Sequence, residues 1–264
     1  MTPATDTGIL PPMIQNPDPT APFSPILVIP ARMAATRLPG KPLADIHGTP
    51  MIVHVWRRAV AADLGPVVVA TPDGPIIQAI LQAGGQAVPT SKDLQSGTDR
   101  VAAALKRIDP YGDYDMVINL QGDLPTIEPD HLKMAAAACL GGAHVGTLVA
   151  EIKDAGDLAD TNVVKAAVAF ERGQRLARAL YFSRMPIPGG DGPHYHHIGV
   201  YAYSRAALDR FVTQPRSALE SREGLEQLRA LDDGMRIDAA LVDRLPIGVD
   251  TPADLEKVRG ILAP

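Results

Sequence analysis

The sequence predicts an α/β protein built on a mostly parallel sheet, and three observations carry that prediction. Residues 26–31, Ile-Leu-Val-Ile-Pro-Ala, form a short continuous apolar run that suits a strand buried on both faces. A further run of the same texture occurs at 67–70, and 115–120 also reads as a strand. Between these runs the apolar residues fall at helical spacing, so strand and helix alternate, which is the pattern of parallel strands joined by crossover helices.

The elements follow in order. After the first strand comes a polar loop rich in Gly and Pro, 32–42, and then a helix predicted over 51–62. The strand at 67–70 precedes a second helix over 75–83, and a short strand is expected near Ala87 and Val88. A helix from about 99 to 108, the strand 115–120 and a helix near 131–139 continue the alternation. The texture then changes: 145–152, 163–170 and 198–203 read as strands with few long helices between them. Residues 144–215 therefore read as an insertion of antiparallel strands that closes over a substrate. The end returns to the first pattern with a helix at 221–231, a strand at 237–242 and a helix at 252–261. Thr251 suits the N-cap of that last helix, Pro252 its first position, and Asp254 its capping box.

At 264 residues the chain is long enough for one large domain with a smaller insertion, and residues 25–264 are expected to form it. Residues 1–24 hold no Lys or Arg and many prolines, and read as a disordered extension without the basic start and apolar stretch of a signal peptide. With 46% hydrophobic and 21% charged residues the composition is that of a soluble globular protein. The formal net charge of -5 argues against DNA or RNA as a partner, so an anionic ligand must be held by a local cluster of cations. A single cysteine, Cys139, leaves no intrachain disulfide, and with no run near the roughly 18 apolar residues of a membrane span a cytoplasmic protein is expected.

Ligands of such sheets bind beyond the carboxyl ends of the strands, which directs attention to the loops 32–42 and 121–125. The first places Arg32, Arg37 and Lys41 within ten residues, with Gly40 to let the chain turn. Arginine forks, a lysine point charge and backbone N–H groups at a turn together make a cradle for phosphate oxygens, although a solvated basic loop has the same composition. Asp123 follows a buried strand, where its carboxylate can meet a metal ion or serve a turn before Pro125. Asp250 precedes a helix whose cap does not need it.

The loop Pro30-Ala-Arg-Met-Ala-Ala-Thr-Arg-Leu-Pro-Gly-Lys-Pro-Leu43 resembles the nucleotide loop of the 3-deoxy-manno-octulosonate cytidylyltransferases, the CMP-Kdo synthetases. Further matching motifs are Pro50-Met-Ile-Val-His-Val55, Gln95-Ser-Gly-Thr98, Asn119-Leu-Gln-Gly-Asp123, Asn162-Val-Val-Lys165, Ala179-Leu-Tyr-Phe-Ser-Arg184, His197-Ile-Gly-Val-Tyr201, Leu225-Glu-Gln-Leu-Arg229 and Gly248-Val-Asp-Thr-Pro252. The resemblance implies a Rossmann-like nucleotide-diphospho-sugar transferase fold, and transfer of CMP from CTP to the anomeric hydroxyl of the sugar acid Kdo, with release of pyrophosphate. It further implies that the product CMP-Kdo serves lipopolysaccharide biosynthesis, that the enzyme is a cytoplasmic homodimer, and that Asp123 and Asp250 hold Mg2+. For the nucleotide it implies Pro30, Ala31, Arg32, Arg37, Lys41, Gln95, Ser96, Gly97, Arg100 and Gln121, with Arg32 and Lys41 also catalytic. For the sugar it implies Arg184, His197, Tyr201, Glu220, Glu226 and Gln227, although Tyr201 can simply pack and the two glutamates can be solvated. Leu124 stands where the family often has Glu and His196 where Arg is common, which bears on the choice of sugar acid. The alternatives are a cytidylyltransferase for sialic acid or amino-Kdo, and a nucleotide-binding regulator without catalysis.

Overall fold

Strand β1, Pro25–Pro30, is buried along its whole length, as its apolar run requires. It belongs to a computed structural model that describes residues 23–34 and 37–263. The expected extension, 1–24, lies outside those residues except for its last two, and Ser24 is tied to Asp115 by its backbone N–H at 2.8 Å from Oδ1. After β1 a small hairpin, β2 (Asp45–Ile46) and β3 (Thr49–Pro50), leads into α1, Met51–Ala61. The alternation then runs β4 (Val67–Thr71), α2 (Gly74–Gln82), β5 (Gln86–Pro89), α3 (Gly97–Ile108), β6 (Met116–Leu120) and α4 (Pro129–Leu140). Next come β7 (Val145–Glu151), α5 (Ala155–Ala159), β8 (Lys165–Val168), β9 (Leu176–Ser183), β10 (Tyr195–Ser204) and α6 (Arg205–Thr213). The chain closes with α7 (Ala218–Glu223), α8 (Gln227–Asp232), β11 (Ile237–Val242) and α9 (Pro252–Ile261).

One nine-stranded sheet in the order β5-β4-β1-β6-β10-β7-β11-β9-β8 carries the fold. The parallel block β5-β4-β1-β6 is the predicted alternation, and β7 and β11 are parallel to each other. The antiparallel strands of 144–215 are β10 and β9, and they are woven into this sheet instead of forming a sheet of their own. Strand β10 lies between β6 and β7, while its first residues, Tyr195 and His196, also pair with β8. That second pairing, beyond the carboxyl end of β6, closes β10, β7, β11, β9 and β8 into a ring.

Alternation along β1 sorts the core into two layers. Leu27 and Ile29 join α1, α2 and α4 on one face, and Ile26 and Val28 join α3, α6 and α8 on the other. Cys139 packs in the first layer, and burial pushes its thiol up to about 12, which leaves it an inert apolar side chain.

Three local readings are corrected. The helix predicted over 221–231 is two short ones, α7 and α8, because Gly224 takes the left-handed conformation at φ 66° and ends the first. Strand β9 was not predicted: Ala177, Arg178, Ala179 and Leu180 favour helix in isolation, and pairing on both edges with β11 and β8 overrides that preference. Helix α6 was also not predicted, although Ala207, Leu208 and Phe211 stand at helical spacing and are buried.

Helix α4 crosses β7 at Gly146, where a Cβ would lie 2.1 Å from the Ala135 carbonyl oxygen and 2.6 Å from the Cys139 backbone nitrogen. Since both obstacles are backbone, Gly146→Ala should destabilise the fold by about 1–3 kcal/mol through overpacking, read as a lower denaturant midpoint with an unchanged m-value.

Candidate active site

The site begins where β1 and β6 end side by side. Past β1 the chain turns through Gly40, at φ 71°, into a single 3-10 turn, Lys41–Leu43, which aims the Lys41 side chain back at the sheet. The start of this loop is anchored by Asp73, whose Oδ2 accepts from the Met33 N–H at 2.7 Å. Past β6 the chain reaches Gln121 and Asp123. The Val249 N–H donates to the Asp123 carbonyl at 2.9 Å, so the loop before α9 lies against this turn and brings Asp250 to it. Helix α9 begins with the predicted Thr251 and Asp254 capping box, which leaves the Asp250 carboxylate free to face the cleft.

Lys41 Nζ donates to Asp123 Oδ2 at 2.8 Å and to Asp250 Oδ1 at 3.1 Å, and Arg37 pairs with Asp250 Oδ2 at 3.0 Å. Burial opposes the Lys41 charge, but the two carboxylates overcome it and hold the ammonium above its ordinary pKa. Ser96 caps α3 in a capping box with Asp99, which presents Gln95, Ser96 and Gly97 at the mouth of the helix. One turn on, Arg100 is almost buried and donates to Thr90 Oγ1 at 2.6 Å and to the Ser91 carbonyl at 2.9 Å. Burial and then the neighbouring Arg32 lower its pKa. A buried arginine with a second, exposed one close by makes a place for a polyanion.

A cleft of about 410 Å³ gathers Pro30, Ala31, Arg32, Arg37, Lys41, Gln95, Ser96, Gly97, Arg100, Gln121, Asp123 and Asp250 on one wall or another. Every residue assigned to nucleotide, metal or catalysis thus stands together. Ala34, Leu38, Pro42 and Gly122 also line it. They were legible only as neighbours within the same motifs, and Asp73 carried no sequence signal at all.

The six residues assigned to the sugar divide. His197, Tyr201, Glu226 and Gln227 form a buried polar group beside the cleft. Tyr201 donates to Gln227 Oε1 at 3.2 Å, His197 Nε2 meets Thr147 Oγ1 at 3.0 Å, and Thr98 donates to Glu226 Oε2 at 3.1 Å. Burial raises the Glu226 pKa against the pull of the Ser96 and Thr98 hydroxyls. Burial also drives Tyr201 far above the usual phenol range. Arg184 and Glu220 are engaged elsewhere. Arg184 donates from Nε to the Glu223 carbonyl at 2.8 Å and from Nη1 to the Thr161 carbonyl at 3.0 Å. Glu220 is not solvated: Arg229 grips it with two bonds of 2.8 and 2.7 Å, and it closes the capping box of α7 with Ser217. Leu124 packs in the core, and His196 pairs across β8 with Lys165.

The family model for cytidylyltransferases matches residues 26–237. Proteins named 3-deoxy-manno-octulosonate cytidylyltransferase are similar over most of their length. The one from Paramagnetospirillum magneticum is 58% identical, with 92% of this chain and 99% of the relative covered. That from Rhodospirillum rubrum is 55% identical, over 95% of this chain and 100% of the relative. Among solved structures, a CMP:2-keto-3-deoxy-manno-octonic acid synthetase complexed with CTP superposes with a TM-score of 0.83 at 40% identity, covering 91% of this chain and 98% of that one. A Methanothermobacter nucleotidyl transferase, at 14% identity and a TM-score of 0.56, shares the fold. The chain belongs to the cytidylyltransferase family, and it is a nucleotidyltransferase of the α/β fold that its sheet and cleft define.

The buried His197 yields a pH prediction. Burial lowers its pKa to about 3, so below the unfolded value of 6.5 the unfolded chain binds a proton that the folded one refuses. Stability attributable to this group is complete above pH 6.5 and is lost as pH falls toward 3. His197→Gln should flatten the acid limb of unfolding free energy by up to about 1.4 kcal/mol per pH unit, measured by denaturant titration at pH 7, 5 and 4.

Proposed function

We infer that this chain transfers CMP from CTP to the anomeric hydroxyl of Kdo, giving CMP-Kdo and pyrophosphate. The observation that carries the reading is one cleft lined by Arg32, Arg37, Lys41 and Arg100 and by the carboxylates of Asp123 and Asp250, which Lys41 bridges. The names of the relatives supply the sugar acid.

In this reading the triphosphate lies along the loop after β1, with the cytosine and ribose at Gln95, Ser96 and Gly97, whose helix end is already ordered by its cap. The anomeric hydroxyl attacks the α-phosphate and pyrophosphate departs, so Lys41 and Arg32 offset the charge that grows on the leaving group. Positioning and charge neutralisation carry the rate, and no covalent intermediate is required. The donor set of Asp123 and Asp250 fits magnesium. Among the described residues no cluster of three or more His, Cys, Asp or Glu is present, so further ligands would be phosphate oxygens and water, the usual mode for that ion. When bound it polarises the α-phosphate and eases ionisation of the attacking hydroxyl. The same reading has the enzyme acting in the cytoplasm as a homodimer. Among the described residues no helix is long and apolar enough to cross a membrane, and Leu176, Leu180 and Met185 expose apolar surface on and just beyond β9 that suits a second copy.

CTP-dependent pyrophosphate release should require a sugar acid and run fastest with Kdo when Kdo, sialic acid and amino-Kdo are compared. Faster release with another acid would assign that substrate, and none with any acid would leave a nucleotide-binding regulator. Asp123→Asn and Asp250→Asn should each lower turnover on the order of a hundredfold or more at limiting magnesium with the melting temperature preserved. Parent-like turnover in either variant would remove that carboxylate from the metal site.

A further inference from the structure

The sugar-side residue Glu226 is held by a polar chain that starts in the cleft. Gln121 Nε2 donates to Asn119 Oδ1 at 3.1 Å, and Asn119 Nδ2 donates to Thr98 Oγ1 at 3.2 Å. Because the Thr98 hydroxyl accepts from an amide, its own hydrogen is directed onward, to Glu226 Oε2 at 3.1 Å. Thr98 is 1% exposed and Asn119 is fully buried, so solvent does not compete for the bond between them. At the far end two atoms have no protein partner. Glu226 Oε1 and Gln227 Nε2 are buried and unpaired, while Glu226 Oε2 and Gln227 Oε1 are held by Thr98 and Tyr201. Each side chain thus keeps one unpaired atom, an acceptor on Glu226 and a donor on Gln227, which a polyhydroxylated ligand can satisfy.

We propose that Thr98 is a positioning residue that fixes the Glu226 carboxylate for the sugar acid. This rests on the reading that Glu226 meets the sugar. Thr98 follows Gly97 in the first turn of α3, and Gly97 and Gln121 line the cleft, so the chain starts at the nucleotide side and ends at the sugar side. Thr98 touches neither reacting atom and acts through the carboxylate. The groups facing Glu226 are Ser96, Thr98 and Asp99 on α3, Arg229 on α8, and Tyr201 and Tyr203 on β10. The hydroxyls of Ser96 and Thr98 both stabilise the charged form against burial, so loss of the Thr98 hydroxyl lets the Glu226 pKa rise further.

The test uses the full chain, with CTP and Kdo varied separately, in Thr98→Val, Thr98→Ser and Glu226→Gln. Thr98→Val keeps the shape and removes the hydroxyl. It should raise KM for Kdo on the order of tenfold, leave KM for CTP within about twofold, and move the acid limb of kcat/KM for Kdo to higher pH. Thr98→Ser should restore parent values. If the valine variant does not fold, as judged by its melting transition, Thr98→Ala is read the same way. Parent-like use of Kdo by the hydroxyl-free variant, a KM for CTP that rises in step, or a serine variant as impaired as the valine one would overturn the role of Thr98. Should Glu226→Gln leave KM for Kdo unchanged, the sugar reading of Glu226 itself falls; should that variant be impaired while Thr98→Val is not, only the positioning role falls.

Discussion

The Lys41 ammonium sits 2.8 Å from Asp123 and 3.1 Å from Asp250, and these three residues come from segments far apart in the chain. Without that cation two carboxylates would face each other in a partly dehydrated cleft, where like charges repel strongly. With it, the loop after β1, the turn after β6 and the loop before α9 are held at one point. The bond from Val249 to the Asp123 carbonyl adds a backbone tie between the second and third of these. The parallel pairing of β1 with β6 makes the meeting possible, because it places two carboxyl ends side by side.

The polar group beside the cleft depends on β10. Its register with β7 jumps between Ile198 and Tyr201, yet Tyr195, Tyr201 and Tyr203 remain in one core layer. On that face His197 stacks with Tyr201, Tyr201 with Tyr203 and Tyr203 with Phe211, at centroid distances of 5.5, 5.9 and 5.9 Å. The aromatic row gives Gln227 a rigid partner in Tyr201, and the Thr98 chain gives Glu226 one from the other side. A run of hydrogen bonds from Gln121 through Asn119 and Thr98 thereby ties the cleft to Glu226 in the neighbouring polar group. Burial explains the character of that group: it neutralises His197 and raises the Glu226 pKa, whereas in the cleft the ion pairs with Asp123 and Asp250 keep Lys41 charged.

Arg184 and Glu220 show how a residue type can suit a ligand and still be occupied by the fold. A guanidinium fits a carboxylate, yet Arg184 closes the carbonyl end of α7 and ties it to Thr161. A glutamate fits sugar hydroxyls, yet Glu220 is committed to Arg229 and its own cap. Their spacing in the chain is the same whether they serve substrate or scaffold.

What the sequence by itself determined is whatever short-range pattern encodes. The apolar runs of β1, β4 and β6, the helical spacing of α1 to α4 and the Thr251-Pro252-Asp254 start of α9 all state their structure locally, and each stands where it was read. The cleft was legible for the same reason, since its cations and carboxylates lie in contiguous motifs at strand ends. What only the tertiary structure decided depends on partners distant in the chain. Strand β9 exists because β11 and β8 pair with it, and β10 runs between β6 and β7 because its register allows it. Which buried donor each glutamate meets, Arg229 for Glu220 and Thr98 for Glu226, was likewise decided by tertiary packing, and local spacing carries no record of that pairing.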